Sequence, residues 1–380
     1  MKKKYIIFSI VTLVLLIAFV TSFNYFKTSN NYVEHSVNNQ TKKIKEISMN
    51  LEQTVGAGDY KTVTQSNWPT EGYKFNAELS KCENGGEISW DDTKKAVIVS
   101  GNLSDKCYVY FDIYQLTLAE YIKSQYTGTQ GENNIYYHDS SLANGAGDNS
   151  YRYAGASDSV NNYICLGSDA TTCPDANLFR IIGVFGNQTK VIRAKSVGYQ
   201  QWHTSADNTW SSSSLNAYLN GTYLTSLGTI AEKIATTTWK VGGGSGSNIS
   251  ASVPKTAYKN EVGSSASTTI IDKKIGLMYV SDYGFAASPS AWTKILGDYD
   301  GTDANGTSIK TINWMYMGYN EWTISRHSDN TNSAFFVNST GNVLGSNVRS
   351  DNGVRPSFNL ESSVKYVSGS GSMSDPVRVN

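Results

Sequence analysis

The sequence predicts an α+β protein, with a small all-β unit and a larger mixed unit behind an apolar N-terminal segment. Three observations carry this. An uncharged run from Tyr5 to Phe26 stands between Lys2-Lys3-Lys4 and Lys27. Short apolar stretches follow, punctuated by Gly, Asn and Asp, as strands joined by tight turns require. Two stretches, Leu116 to Tyr126 and Ser211 to Leu227, space their apolar residues nearer the helical period.

The N-terminal run is about 22 residues, and at 1.5 Å per residue such a helix crosses a roughly 30 Å hydrocarbon core. A cleaved signal usually has about 7–15 apolar residues before a small-residue site. The length therefore favours a retained anchor, with cleavage near Val20 and Ser22 as the alternative. No Gly/Glu prepilin pattern or lipobox cysteine accompanies it. Lys2, Lys3 and Lys4 favour a cytoplasmic N-terminus, although Lys42, Lys43 and Lys45 dilute the bias. The expected layout is a cytoplasmic tail at 1–4, a transmembrane signal anchor at 5–26 and a stalk at 27–61.

Elements beyond the stalk follow in order. Residues 62–112 read as a small β domain: Tyr73-Lys74-Phe75 alternates, Ile88 and Trp90 follow a Gly-Gly turn, and Ala96 to Val99 and Tyr108 to Phe111 supply two more strands. A connecting helix and loop fill 113–160. The large domain, 161–380, opens with strands Leu178 to Phe185 and Lys190 to Val197 across a Gly186-Asn187 turn. Ser211 to Leu227 reads as a helix interrupted at Gly221, Ile234 to Val241 as β, and Lys274 to Tyr283 as a buried strand. Trp322 to Arg326, Ala334 to Val337, Gly353 to Leu360 and a hairpin through Val367 complete the sheet.

Lys and Arg total 32 and Asp and Glu 32, so net charge is zero, with no basic stripe to hold nucleic acid. The 25 tyrosines and 8 tryptophans amid Ser, Gly and Asn suit a tightly turned β protein, and they also resemble the chemistry of recognition surfaces. Cys82, Cys107, Cys165 and Cys173 allow three pairings in an oxidising compartment. Sequence order and domain layout favour Cys82–Cys107 and Cys165–Cys173.

Four stretches stand in order: Gly276 to Tyr283, Trp322 to Arg326, Ala334 to Asn338 and Gly353 to Phe358. Together they resemble a bacterial domain of unknown function related to the C-type-lectin and formylglycine-generating-enzyme fold, as in target proteins of diversity-generating retroelements. The resemblance covers roughly residues 160–380. It implies a C-type-lectin-like α+β domain of short sheets, two helices and long loops. It places a ligand surface between the tryptophan strand and the Val-Arg-Pro strand, with Arg326, His327, Asn330, Asn332, Asn347, Arg349 and Asp351 as binding residues. Their donors and acceptors suit a glycan or protein ligand, although Asn-rich intervals also build turns. Arg355 is expected to be structural.

The catalytic branch of that fold binds copper through a late cysteine pair, and this chain has no cysteine after Cys173. No G-x-S-x-G, H-E-x-x-H or P-loop pattern occurs. His35, His138, His203 and His327 are scattered, and Asp298 to Gly306 is a calcium candidate without EF-hand spacing. No metal or cofactor is expected. The expected function is a membrane-anchored, extracytoplasmic surface protein displaying a non-enzymatic recognition domain. A structural envelope protein and an extracytoplasmic hydrolase are the alternatives.

Overall fold

A computed structural model describes residues 46–64, 67–69, 72–101, 105–244, 251–262 and 269–380. They fall into two compact units, one ending at Gln115 and the other spanning Leu116–Asn380.

The first unit contains β1 (Glu46–Glu52), β2 (Tyr60–Val63), β3 (Tyr73–Cys82), β4 (Glu87–Asp91), β5 (Ala96–Ser100) and β6 (Lys106–Ile113). Four of these form a sheet in the order β2-β1-β6-β3, with β1 parallel to β6, while β4 and β5 pair as a hairpin. Alternation in β6 turns Cys107, Val109 and Phe111 inward, onto Met49, Leu51, Val97 and Val99. Phe75 and Trp90 pack on Phe111 at 5.9 and 5.5 Å. Cys82 stands opposite Cys107 in register, and a disulfide joins them. Residues 46–52 and 60–61, expected within the stalk, belong to strands β1 and β2 because Met49 and Leu51 enter this core. Residues 27–45 of that stalk lie outside the described residues.

The second unit begins with α1 (Leu118–Ser124), β7 (Ile135–Tyr137), β8 (Tyr151–Tyr153), β9 (Tyr163–Cys165), β10 (Leu178–Phe185), β11 (Gln188–Arg193) and β12 (Tyr199–Gln201). It continues with α2 (Ser214–Tyr218), β13 (Thr237–Val241), β14 (Gly243–Gly244), α3 (Pro254–Glu261), β15 (Thr269–Lys273), β16 (Ile275–Gly276) and α4 (Val280–Ala286). Last come β17 (Glu321–His327), β18 (Ser333–Val337), β19 (Val343–Asn347), β20 (Asp351–Gly353), β21 (Ser357–Asn359), β22 (Tyr366–Ser368) and β23 (Val377–Val379). A nine-stranded sheet follows the path β16-β21-β11-β10-β9-β23-β22, with β8 on β10 and β7 on β8. A six-stranded sheet runs β12-β20-β17-β18-β19, with β14 on β17. The buried indoles of Trp202, Trp210, Trp239, Trp314 and Trp322 belong to one continuous core. Cys165 and Cys173 form the second disulfide.

The elements are roughly compatible with an α+β class, but they correct the weight of helix expected for a C-type-lectin-like domain. The described chain is mostly β sheet, and its longest helix, α3, has eight residues. The stretch 211–227 is interrupted around Gly221, as expected: α2 gives way to a π turn at Leu219–Tyr223 and a single helical turn at Leu224–Ser226. Asn220 in that turn is drawn to β16, where its amide pairs with the N–H and C=O of Ile275 at 3.0 and 2.8 Å. Residues 113–160 are more than a connector, since Leu118, Ala119 and Ile122 of α1 enter the main core and β7 and β8 join the large sheet. Among the described residues no helix is long and apolar enough to cross a membrane, and the run Tyr5–Phe26 expected to do so lies outside them.

Arg355 does what its place before Pro356 suggested. Fully buried, it donates from Nε and Nη2 to the two oxygens of Glu321 at 2.5 and 2.9 Å, and from Nη2 to the Met315 carbonyl. A planar fork on a carboxylate satisfies two buried charges at once.

Candidate functional site

The site is assembled from β8, β11, β13, α3 and α4. Gly183 in β10 makes it possible. A Cβ there would collide with the carbonyl of Tyr151, so only glycine lets β8 lie against β10, and the β10 register slips at the same point. Arg152 thereby reaches the interior. Its Nη2 donates to Asp148 Oδ2 at 2.6 Å, its Nε to Ser150 Oγ at 2.8 Å, and its Nη1 to Asp282 Oδ1 at 3.5 Å. Lys190 of β11, also buried, donates to Asp282 Oδ2 at 2.5 Å.

Asp282 is available because 280–286 is helical rather than strand. Apolar residues on every side made Lys274 to Tyr283 read as a buried strand; the caps decide otherwise. Asp282 Oδ2 accepts the Tyr279 N–H at 2.9 Å, and the Glu261 carboxylate accepts the N–H groups of Val280 and Ser281, each at 2.9 Å. These are the orphan donors that every helix start exposes. Ser325 of β17 adds its hydroxyl to Glu261 Oε1.

Arg152, Lys190 and Asp282 line a cavity of about 220 Å³, together with Phe185, Trp239, Tyr258 and Tyr279. The Lys190 ammonium lies 4.4 Å from the Tyr279 ring centre and 5.4 Å from that of Trp239. The Arg152 guanidinium lies 4.6 Å from the ring centre of Phe185 and 5.3 Å from that of Tyr258. Ring faces carry negative potential, so these contacts help hold cations that burial would expel. Gln188, Thr238 and Asn359 are among the polar groups of the remaining lining.

Protonation follows from burial. Desolvation lowers the Lys190 pKa against the pull of Asp282. Burial would raise Asp148, but Arg152 and Ser150 outweigh it and bring the carboxyl down to about 2. Glu261 is pushed up to about 7 by burial, with its hydrogen bonds opposing. His138 packs between Phe285 and Trp292, and its Nδ1 accepts the Ala146 N–H at 3.1 Å. Burial and the Arg152 charge drive its pKa well below the usual value, so it is neutral.

None of the seven residues expected to bind ligand lines this cavity. Arg326 is half-buried and donates from Nε to the Val241 carbonyl at 3.3 Å. His327 is buried, its ring stacked 4.1 Å from Phe335. Asn330, Asn332, Asn347, Arg349 and Asp351 are exposed. The first four lie at one end of the β18–β19 pair, where Ser333 stands opposite Asn347 and Val348 N–H donates to Asn332. Asn330 Oδ1 accepts the Asn332 N–H and Asn347 Oδ1 the Arg349 N–H, both at 3.0 Å, so these amides close turns. Asp351 starts β20, opposite Gln201. In the loop Asp298 to Gly306, Asp303 Oδ1 accepts the N–H groups of Asn305 and Thr307 at 2.9 and 2.8 Å. No group of three or more His, Cys, Asp or Glu side chains among the described residues is placed to hold a metal ion.

Residues 186–362 match DUF6273, a domain of unknown function. The DUF6273 segment supplies Lys190, Trp239, Tyr258, Tyr279 and Asp282 to the cavity, while Arg152 and Phe185 come from the preceding residues. It also contains Arg326 to Asp351. No curated protein and no solved structure matches the chain, and the expected likeness to C-type lectins and formylglycine-generating enzymes finds no counterpart there.

Sequence reasoning missed this cavity. Lys190, Asp282 and Arg152 are 92 and 130 residues apart in their pairings, and no local spacing announces them. The one available signal was glycine in the middle of the apolar strand at 183, which marks a close backbone approach.

Proposed function

We propose that this chain is an exported surface-recognition protein, non-enzymatic, whose larger unit takes a small polar group of a surface glycan or protein ligand into the Arg152–Lys190–Asp282 cavity. One observation carries the reading: a buried, neutralised cluster of charges forms part of the wall of an aromatic-lined cavity. Buried ions cost several kcal/mol each unless paired, and apolar residues would fill such a space more cheaply. Concave aromatic walls with a few fixed polar groups are the usual composition of ligand sites. The two disulfides support an oxidising compartment outside the cytoplasm. The apolar run behind three lysines supports export and attachment to the membrane.

An extracytoplasmic hydrolase is the second reading, favoured by Glu261, whose pKa of about 7 suits a general acid. Its hydrogen bonds speak against it. Both oxygens are committed to Val280, Ser281 and Ser325, and Glu261 is absent from the cavity lining. The test is a glycan and peptide array screen of the detergent-solubilised chain beside Gln188→Trp, which enlarges a lining side chain. Retention by the parent chain and loss by the variant is the expected result; equal retention would move the site elsewhere.

A further inference from the structure

Strand β8 places consecutive side chains on opposite faces of the large sheet, as any strand does. Arg152 enters the cavity described above, and Tyr153 lines a different one. This second cavity, about 320 Å³, is bounded by Tyr121, Gln125, Asn134, Tyr153, Asn161 and Ser370 among others, and no charged residue lines it. Tyr153 is buried as a residue, while Asn134 is half-buried and Asn161 exposed; the Tyr153 hydroxyl and both carboxamides make no hydrogen bond to a described residue and are left to solvent or a ligand.

The surrounding wall is stiff. Tyr121 stacks on Tyr366 at 3.6 Å with the rings 8° apart. Asn133 and Asn134 both hold left-handed backbone, φ 57° and 58°. Asn133 Nδ2 bonds the Gln125 carbonyl at 2.8 Å, and the Asn134 carbonyl accepts the Ala154 N–H at 3.0 Å. Residues so fixed lose little freedom when a ligand arrives.

From this we infer a second binding site, for an uncharged sugar ring. Carboxamides and a phenol each donate and accept, as vicinal hydroxyls do. A wall without ionised groups gives a charged ligand no counter-ion and pays no desolvation of its own charges. The inference does not rest on the first cavity and stands or falls separately.

The test is saturation-transfer NMR on the full chain in a sugar-free detergent, with the methyl glycosides of glucose, galactose, mannose and N-acetylglucosamine as probes. At least one should receive saturation. Tyr153→Phe, which removes only the hydroxyl and leaves the ring packing intact, should weaken binding about fivefold to tenfold. Asn134→Ala with Asn161→Ala should abolish it, and Gln188→Trp should leave it unchanged. Three results would overturn the inference: no transfer to any of the four glycosides, binding undiminished in Tyr153→Phe, or loss confined to Gln188→Trp.

Discussion

The ammonium of Lys190 and the carboxylate of Asp282 meet at 2.5 Å with both side chains buried. Asp282 also caps Tyr279 and faces Arg152, so it is the hub of the cluster. Removing one partner strands the other charge in a low-dielectric interior, at a cost of about 3–5 kcal/mol. Asp282→Ala should therefore lower stability in urea unfolding by more than Lys190→Met does. The double variant should cost less than the sum of the singles.

Glu261 and His138 give opposite pH dependences. The folded pKa of Glu261 is raised to about 7. Its contribution is full below the unfolded value of about 4.5 and is lost as pH rises through 7. The folded pKa of His138 is depressed below 6.5, so its contribution is present above 6.5 and is lost as pH falls. The two trends offset each other in the parent chain in the window below 6.5. Glu261→Gln should unmask a stability that rises with pH there, and His138→Gln one that falls, as followed by thermal midpoints from pH 4.5 to 7.

Gly183→Ala should cost about 1–3 kcal/mol, the usual range for overpacking, because its Cβ meets the Tyr151 backbone. Since β8 carries both Arg152 and Tyr153, the same change should impair both cavities. Hydrogen exchange would show it as faster exchange of the amides that bond β8 to β10.

The Cys82–Cys107 bridge closes a 25-residue separation within a small core. Chain entropy assigns such a loop about 3 kcal/mol. Cys82→Ser with Cys107→Ser should lower the unfolding midpoint of the first unit and leave that of the second unchanged. Two-probe thermal unfolding, with Trp68 and Trp90 reporting the first unit, would resolve the pair.

What the sequence disclosed was local. The Leu178–Phe185 strand, its two-residue Gly186-Asn187 turn and the returning strand are in place because alternation and turn chemistry act within a few residues. The disulfide pairs were legible for the same reason, being near in sequence. The helix at Val280 was not, because its start depends on Glu261, brought from another element. The family resemblance marked the interval Arg326 to Asp351 as a ligand surface, and its amides suited that role. Asn330 and Asn347 use those same amides to close turns, and one sequence cannot separate the two uses. The cavity is a product of long-range pairing, which leaves only glycine at 183 as a local trace.

The most direct test of the recognition reading is calorimetric titration of the array-selected ligand into three forms of the chain: the parent, Gln188→Trp, and Asn347→Ala with Arg349→Ala. A cavity site predicts a loss of at least about tenfold in affinity, or 1.4 kcal/mol, for Gln188→Trp and unchanged binding for the loop variant. Unchanged binding by Gln188→Trp, with the loss following Asn347 and Arg349 instead, would contradict it.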